Sequence, residues 1–176
     1  MSQRSLVILR HAKAERPAGM ADSDRPLTQR GHADAAAAGA WLAARGYRPD
    51  LVLCSPSKRT RQTWRGVSVA LAGGPEPEVR FESELYYGGV EDALELIRQA
   101  PPEAGSVLLV GHNPAVSTLS ALLDSPAGRD GDGLRTCGIA VHRRDGDWAD
   151  FDSGTEGVQA SKISETRRNQ HPAASP

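Results

Sequence analysis

Arg10 and His11 stand directly behind the apolar run Leu6-Val7-Ile8-Leu9. A guanidinium offers a planar fork of donors to an oxyanion, and a neutral imidazole beside it is a nucleophile usable at neutral pH. Two later apolar runs end in comparable groups. Leu51-Val52-Leu53-Cys54 leads into Ser55-Pro56-Ser57-Lys58-Arg59-Thr60, and Ser106-Val107-Leu108-Leu109-Val110 leads into Gly111-His112-Asn113-Pro114. If Arg59 lies one turn inside a helix, its side chain leans back toward the helix start, where free backbone N–H groups also attract anions. His112 precedes another helix start, with Asn113 placed to cap it. Two arginines and two histidines would form a pocket for a tetrahedral dianion that contains its own nucleophile. The flanking positive charge keeps His11 neutral, while a bound anion favours protonated His112. Phosphoryl transfer needs chiefly positioning and charge neutralisation, which this set supplies without a metal or cofactor. An acid for the leaving group is also needed. Glu84 is the first candidate and Glu82 the second, both just after a short strand.

These groups can meet only if the three apolar runs are neighbouring strands. Alternation of strand and helix along the chain predicts a three-layer α/β/α sandwich with a mainly parallel central sheet, whose strand ends share one edge. The polar loop over 12–26 leads to Thr28, an N-cap, and to an alanine-rich helix running to about Arg45 and closed by Gly46. A strand over 50–54 follows. Ser55 and Pro56 then read as the cap and first position of a helix ending near Gly73-Gly74. A short strand spans 78–81, a helix 90–99, a strand 106–110, and a helix starts at Asn113-Pro114 and continues to about Leu123. Segments 138–144 and 148–152 read as a closing hairpin around Asp145-Gly146. Residues 1–159 are expected to form one domain. The tail over 160–176 lacks large apolar groups and is expected to be disordered, and the Gly/Asp-rich stretch over 125–133 is expected to be a flexible loop.

Composition narrows the function classes. The 176 residues carry 21 Lys+Arg against 22 Asp+Glu, a formal net charge of −1, so no broad basic surface points to nucleic acid. No apolar stretch is long enough for a membrane span or a signal peptide, which predicts a cytoplasmic protein without a membrane partner. Cys54 and Cys137 lie in apolar runs without metal-ligand spacing and read as reduced core residues. Cys54 and Arg59 do not have the Cys-x5-Arg spacing of a thiolate phosphate loop. There is no Walker glycine loop and no His-Glu-x-x-His pair. His32 and His142 read as structural or solvated.

The combination of Arg10-His11-Ala12, the run from Ser55 to Thr63, Glu84 before Tyr87-Gly88, and Gly111-His112-Asn113-Pro114 resembles the histidine phosphatase, or phosphoglycerate mutase-like, superfamily. The short length and Asp24-Arg25-Pro26-Leu27-Thr28 are similar to its SixA-like phosphohistidine phosphatases. The resemblance spans residues 6–152. It implies a phosphoglycerate mutase-like fold and transient phosphorylation of His11. It further implies that Arg10, Arg59 and His112 hold the phosphate, that Arg25 adds a contact from the loop, and that Glu84 matches the mutase-type acid. The family's commonest opening is Arg-His-Gly. Ala12 stands in place of that glycine, so the turn must form at negative φ.

Mutases of the superfamily carry a long insertion between the acid and the second histidine, whereas here Glu84 and His112 are separated by one helix and one strand. Without a lid, water reaches the phosphoenzyme, so hydrolysis is expected over return transfer. The expected substrate is a phosphorylated protein such as a phosphotransfer domain carrying phosphohistidine. The alternatives are a small phosphate ester, phosphoglycerate mutase activity and a non-catalytic phospholigand-binding module. Loss of the nucleophile would mark the last of these, and His11 is present.

Overall fold

The computed structural model describes residues 3–123 and 133–151. The tail over 160–176 and most of the stretch over 125–133 lie outside the described residues.

Five strands form one sheet: β1 (Gln3–Arg10), β2 (Leu51–Cys54), β3 (Glu78–Phe81), β4 (Ser106–Gly111) and β5 (Ile139–Asp145), in the order β3-β2-β4-β1-β5. The first four run parallel, and β5 pairs antiparallel with β1. The central strands read as unbroken apolar runs because both their faces are covered. Side chains alternate between two cores. Leu6, Ile8, Leu51, Leu53, Val107 and Leu109 face one, while Val7, Leu9, Val52, Cys54, Leu108 and Val110 face the other.

The helices are α1 (Gln29–Ala44), α2 (Lys58–Ala70), α3 (Glu84–Tyr87), α4 (Val90–Arg98) and α5 (Ala115–Leu123). Residues of α1 and α2 pack in the second core and those of α4 and α5 in the first, which makes the three layers. The buried face of α1 is built from Gly31, Ala35, Ala38, Gly39 and Leu42, small enough for close contact with α2. A Cβ at Gly66 would lie 2.8 Å from that of Ala35, and one at Gly39 would lie 2.7 Å from the Val67 carbonyl oxygen. Either alanine substitution would push the two helices apart.

Three local expectations are corrected. The cap of α2 is Ser57, whose hydroxyl accepts from the Thr60 N–H, and the helix starts at Lys58. Ser55 is not the cap because its hydroxyl is taken by His112 at 2.7 Å. Asn113 does not cap α5 with its side chain: its Nδ2 donates to the Leu134 carbonyl, and its Oδ1 accepts from the Ser117 hydroxyl. The segment after β5 is not a hairpin strand but a 3-10 turn, Trp148–Asp150. Trp148 stacks on Phe151 and donates from Nε1 to the Ala104 carbonyl at 2.6 Å, so burying the indole outweighs strand pairing there. A single-turn helix, α3, follows β3 at Glu84–Tyr87.

Candidate active site

The carboxyl ends of β1, β2 and β4 lie side by side. Arg10 pairs in register with Gly111, the His11 N–H donates to the Gly111 carbonyl at 3.0 Å, and the Ser55 N–H donates to the Val110 carbonyl at 3.0 Å. From the other side the Arg10 N–H donates to the Gly138 carbonyl at 3.1 Å, and the Cys137 N–H donates to the His11 carbonyl at 2.9 Å. The Arg10-His11 backbone is therefore gripped from two flanks. Cys137 has φ 58° and is the only non-glycine residue at positive φ among those described. Ala12 thus makes its turn at negative φ, as its side chain requires. It is fully buried, and its N–H donates to the Thr63 hydroxyl of α2 at 3.0 Å.

Arg10, His11, Arg25, Arg59 and His112 line one cavity of 460 Å³, so five of the six residues expected at the site come together. Lys13 and Arg16 add positive charge to the same wall. Glu84 does not join them. It is the exposed first residue of α3, and neither it nor half-buried Glu82 lines the cavity. Four contributors carried no assigned role in the sequence: Thr63 and Gln62 in α2, Asp22 in the loop, and Tyr86 in α3. Gln62 accepts the Leu27 N–H at 2.7 Å and so ties the long loop to α2. Asp22 and Tyr86 share a hydrogen bond of 2.6 Å across 64 positions, a link without local signal. The Tyr86 ring meets His112 edge-on at 5.6 Å.

His11 and His112 have ring centroids 5.3 Å apart. Nδ1 of His11 lies 2.7 Å from the Ala12 carbonyl oxygen. A carbonyl can only accept, so Nδ1 carries the proton and the lone pair resides on Nε2. Burial, reinforced by the charges of Arg59, Arg10 and Arg25, pushes the His11 pKa down to about 4. Burial also depresses His112, to about 3, with Arg59 and His11 adding to it. Both imidazoles are neutral in the unliganded protein at pH 7. The burial of Cys54 pushes its thiol up to about 12, which makes it an inert core group; neither Cys54 nor Cys137 forms a disulfide among the described residues. His142 is buried against the Ser120 hydroxyl at 2.9 Å and is structural. Among the described residues no three His, Cys, Asp or Glu side chains gather as a metal-binding group, and no helix is long and apolar enough to cross a membrane.

These shifts fix a pH dependence. An unfolded imidazole takes up a proton below about pH 6.5, whereas the folded groups resist protonation to about 4 and about 3. The unfolded state binds more protons in that window, so the contribution of these groups to stability is complete above 6.5 and declines as pH falls. NMR titration of the unliganded protein is expected to place the His11 midpoint near 4. A midpoint near 6.5, the value of a solvated imidazole, would contradict the geometry.

The cavity's donors remain partly unused. Nε of Arg10, Nε of Arg59 and Nδ1 of His112 are buried without a hydrogen-bond partner. A tetrahedral oxyanion in the cavity could satisfy all three.

Comparison with known proteins agrees with this geometry. The model of the histidine phosphatase superfamily, branch 1, matches residues 6–104. An uncharacterised protein of Mycobacterium tuberculosis is 39% identical over 153 residues, covering 83% of this chain and 93% of that protein. Among solved structures, a candidate phosphohistidine phosphatase SixA from Nakamurella multipartitia is 35% identical, with a TM-score of 0.74 and 99% of each chain covered. The protein histidine phosphatase SixA complexed with tungstate is 31% identical, with a TM-score of 0.67, covering 78% of this chain and 86% of that one.

Proposed function

The chain belongs to the histidine phosphatase superfamily and is a hydrolase acting on phosphate; from that premise we propose that it hydrolyses protein phosphohistidine through a phosphate carried on His11. Three buried, unpartnered nitrogens around a histidine whose other nitrogen is tied down carry this reading. Leaving such donors unpaired costs on the order of 1–3 kcal/mol each, which a bound phosphate would offset.

In the proposed cycle, the side edges of Arg10 and Arg59 and one terminus of Arg25 receive the phosphate oxygens. The Ser55 hydroxyl lies 2.7 Å from Nε2 of His112; in this cycle the hydroxyl donates there, and Nδ1–H of that ring faces the phosphate as a further donor. His112 can therefore serve as a neutral donor, and the phosphate dianion favours its protonation further. Nε2 of His11 attacks phosphorus in line, forming the new N–P bond as the substrate's P–N bond breaks. The electron pair departs with the substrate imidazole. Water then adds to phosphorus, the His11 N–P bond breaks, and orthophosphate leaves with neutral His11 restored. Preorganised cations supply the stabilisation, and no step requires a metal.

The choice of phosphohistidine follows from the leaving group. None of the residues lining the cavity is a carboxylic acid. An imidazole protonated on its far nitrogen departs as a neutral base, whereas an alkoxide needs a proton in or near the transition state. The chain between Glu84 and His112 is spent on α3, α4 and β4, which suits a phosphate displayed on another protein. A small phosphate monoester is the second reading. It is favoured by the position of Glu84 in the same turn as Tyr86, whose ring packs on His112.

A substrate panel with Glu84→Gln separates the two. For protein phosphohistidine, wild type should be active in EDTA and Glu84→Gln should retain kcat/KM within about threefold, because general acid help is not needed. Alkyl phosphates should be poor substrates for both forms. Efficient turnover of an alkyl phosphate, lost by about 10²-fold or more in Glu84→Gln, would instead establish the ester reading with Glu84 as its acid. Loss of activity in EDTA, restored by a divalent ion, would contradict the metal-free cycle.

A further inference from the structure

Asp22, in a 3-10 turn of the loop between β1 and α1, is held by three side chains from separate parts of the chain. Its Oδ1 accepts from Nη1 of Arg25 at 2.9 Å, and its Oδ2 accepts from Nη2 of Arg59 at 3.0 Å and from the Tyr86 hydroxyl at 2.6 Å. Its backbone carbonyl accepts from Nη1 of Arg59 at 2.8 Å. Arg59 thus spends one N–H of each terminal nitrogen on a single residue. Of the five N–H groups in the guanidinium fork, three remain: Nε–H and the second N–H of Nη2, which form the side edge, and the second N–H of Nη1. That Nε is buried and unpartnered. Arg25 is anchored in a similar way, with Nε on the Glu15 carbonyl at 2.8 Å and Nη1 on Asp22.

We propose that Asp22 is a positioning residue that holds the ends of Arg59 and Arg25 so that their free edges meet the substrate phosphate. The assignment rests on the reading of the cavity as a phosphate site. Asp22 is absent from the cavity wall that both arginines line. It takes the end of the Arg59 fork and leaves the side edge open, so a phosphate can join without displacing it. Its two charged partners are largely shielded, with side chains 8% and 14% exposed, while the carboxylate itself is 54% exposed. As a surface ion pair it would contribute little to stability. Its effect is geometric: two long side chains that could sample many rotamers are held in one arrangement before substrate arrives.

A role as proton donor does not fit. Hydrogen bonds from Tyr86 and Arg25, followed by Arg59, hold the Asp22 carboxyl well below the usual carboxylate range. It is ionised at neutral pH.

The test is calorimetric binding of inorganic phosphate, with kcat/KM on a phosphohistidine-bearing peptide, for wild type, Asp22→Ala, Asp22→Asn, Tyr86→Phe and Arg59→Ala. Removing a negative charge beside an anion site should tighten phosphate if charge alone mattered. Positioning has the opposite sign: both Asp22 variants should bind phosphate about tenfold more weakly and lose about 10²-fold in kcat/KM, the usual cost of an ångström-scale misplacement. Their melting temperatures should stay close to wild type, because the Asp22 carboxylate is more than half exposed. Tyr86→Phe leaves both arginine contacts in place and should stay within about threefold for both measures. Unchanged or tighter phosphate binding in Asp22→Ala and Asp22→Asn, with Arg59→Ala impaired, would overturn the assignment while leaving the phosphate site intact. A wild type that binds no phosphate, with Arg59→Ala indistinguishable from it, would overturn the site and this assignment together.

Discussion

Replacing His11 by alanine is expected to lower kcat by about 10⁴-fold or more, the scale seen when a covalent nucleophile is deleted. The size of the loss follows from the lack of a substitute nearby. Nε2 of His112 is engaged by the Ser55 hydroxyl, and the Cys54 thiol is buried with its pKa pushed up to about 12. Water could still attack a phosphate held by the arginines, and that sets the residual rate. Binding of inorganic phosphate should survive in His11→Ala, because Arg10, Arg25, Arg59 and His112 still line the cavity. Calorimetry and turnover on the same preparation therefore separate a lost nucleophile from a lost fold. A His11→Ala protein with turnover comparable to wild type would end the nucleophile assignment.

Arg59→Ala is expected to have the second largest effect, about 10²- to 10³-fold in kcat/KM, as for loss of a preorganised donor in a water-poor site. Three changes add up in this variant. The phosphate loses the Nε edge of the fork, Asp22 loses two of the four hydrogen bonds it accepts from side chains, and the positive charge that helps depress both imidazoles disappears. The pKa values of His11 and His112 should therefore rise from their depressed values, bringing the acid limb of activity to higher pH. Arg59→Lys should recover little, since an ammonium restores the charge but not the two-edged geometry that Asp22 and the phosphate share. Near wild-type kcat/KM in Arg59→Lys would show that charge alone suffices.

Much of the sheet was legible in the sequence because its central strands are covered on both faces. The runs at 6–9, 51–54 and 106–110 are unbroken for that reason, and the loops following them necessarily share an edge in a parallel sheet. Arg10, His11, Arg59 and His112 were readable because each lies within a few residues of such a strand end. The capping serine of α2 was misassigned by two positions, since Ser55 and Ser57 both precede a helical pattern and only the contact between Ser55 and His112 separates them. Trp148 alternates like a strand residue, yet the hydrogen bond of its indole to Ala104 favours a 3-10 turn. Asp22 and Tyr86 lacked any signal, because their roles arise from packing between the loop and α3. Glu84 follows a motif by position, but an exposed place in a four-residue helix depends on how that single turn docks.

Trapping the phosphoenzyme tests the central claim most directly. Wild-type protein mixed with labelled phosphohistidine substrate and quenched in alkaline denaturant should carry alkali-stable, acid-labile phosphate on the peptide containing His11. Because Nδ1 is committed to the Ala12 carbonyl at 2.7 Å, the phosphate should sit on Nε2. The label should be absent from His11→Ala. Label on another residue, or rapid turnover without label on His11 at any quench time, would contradict a His11 phosphoenzyme.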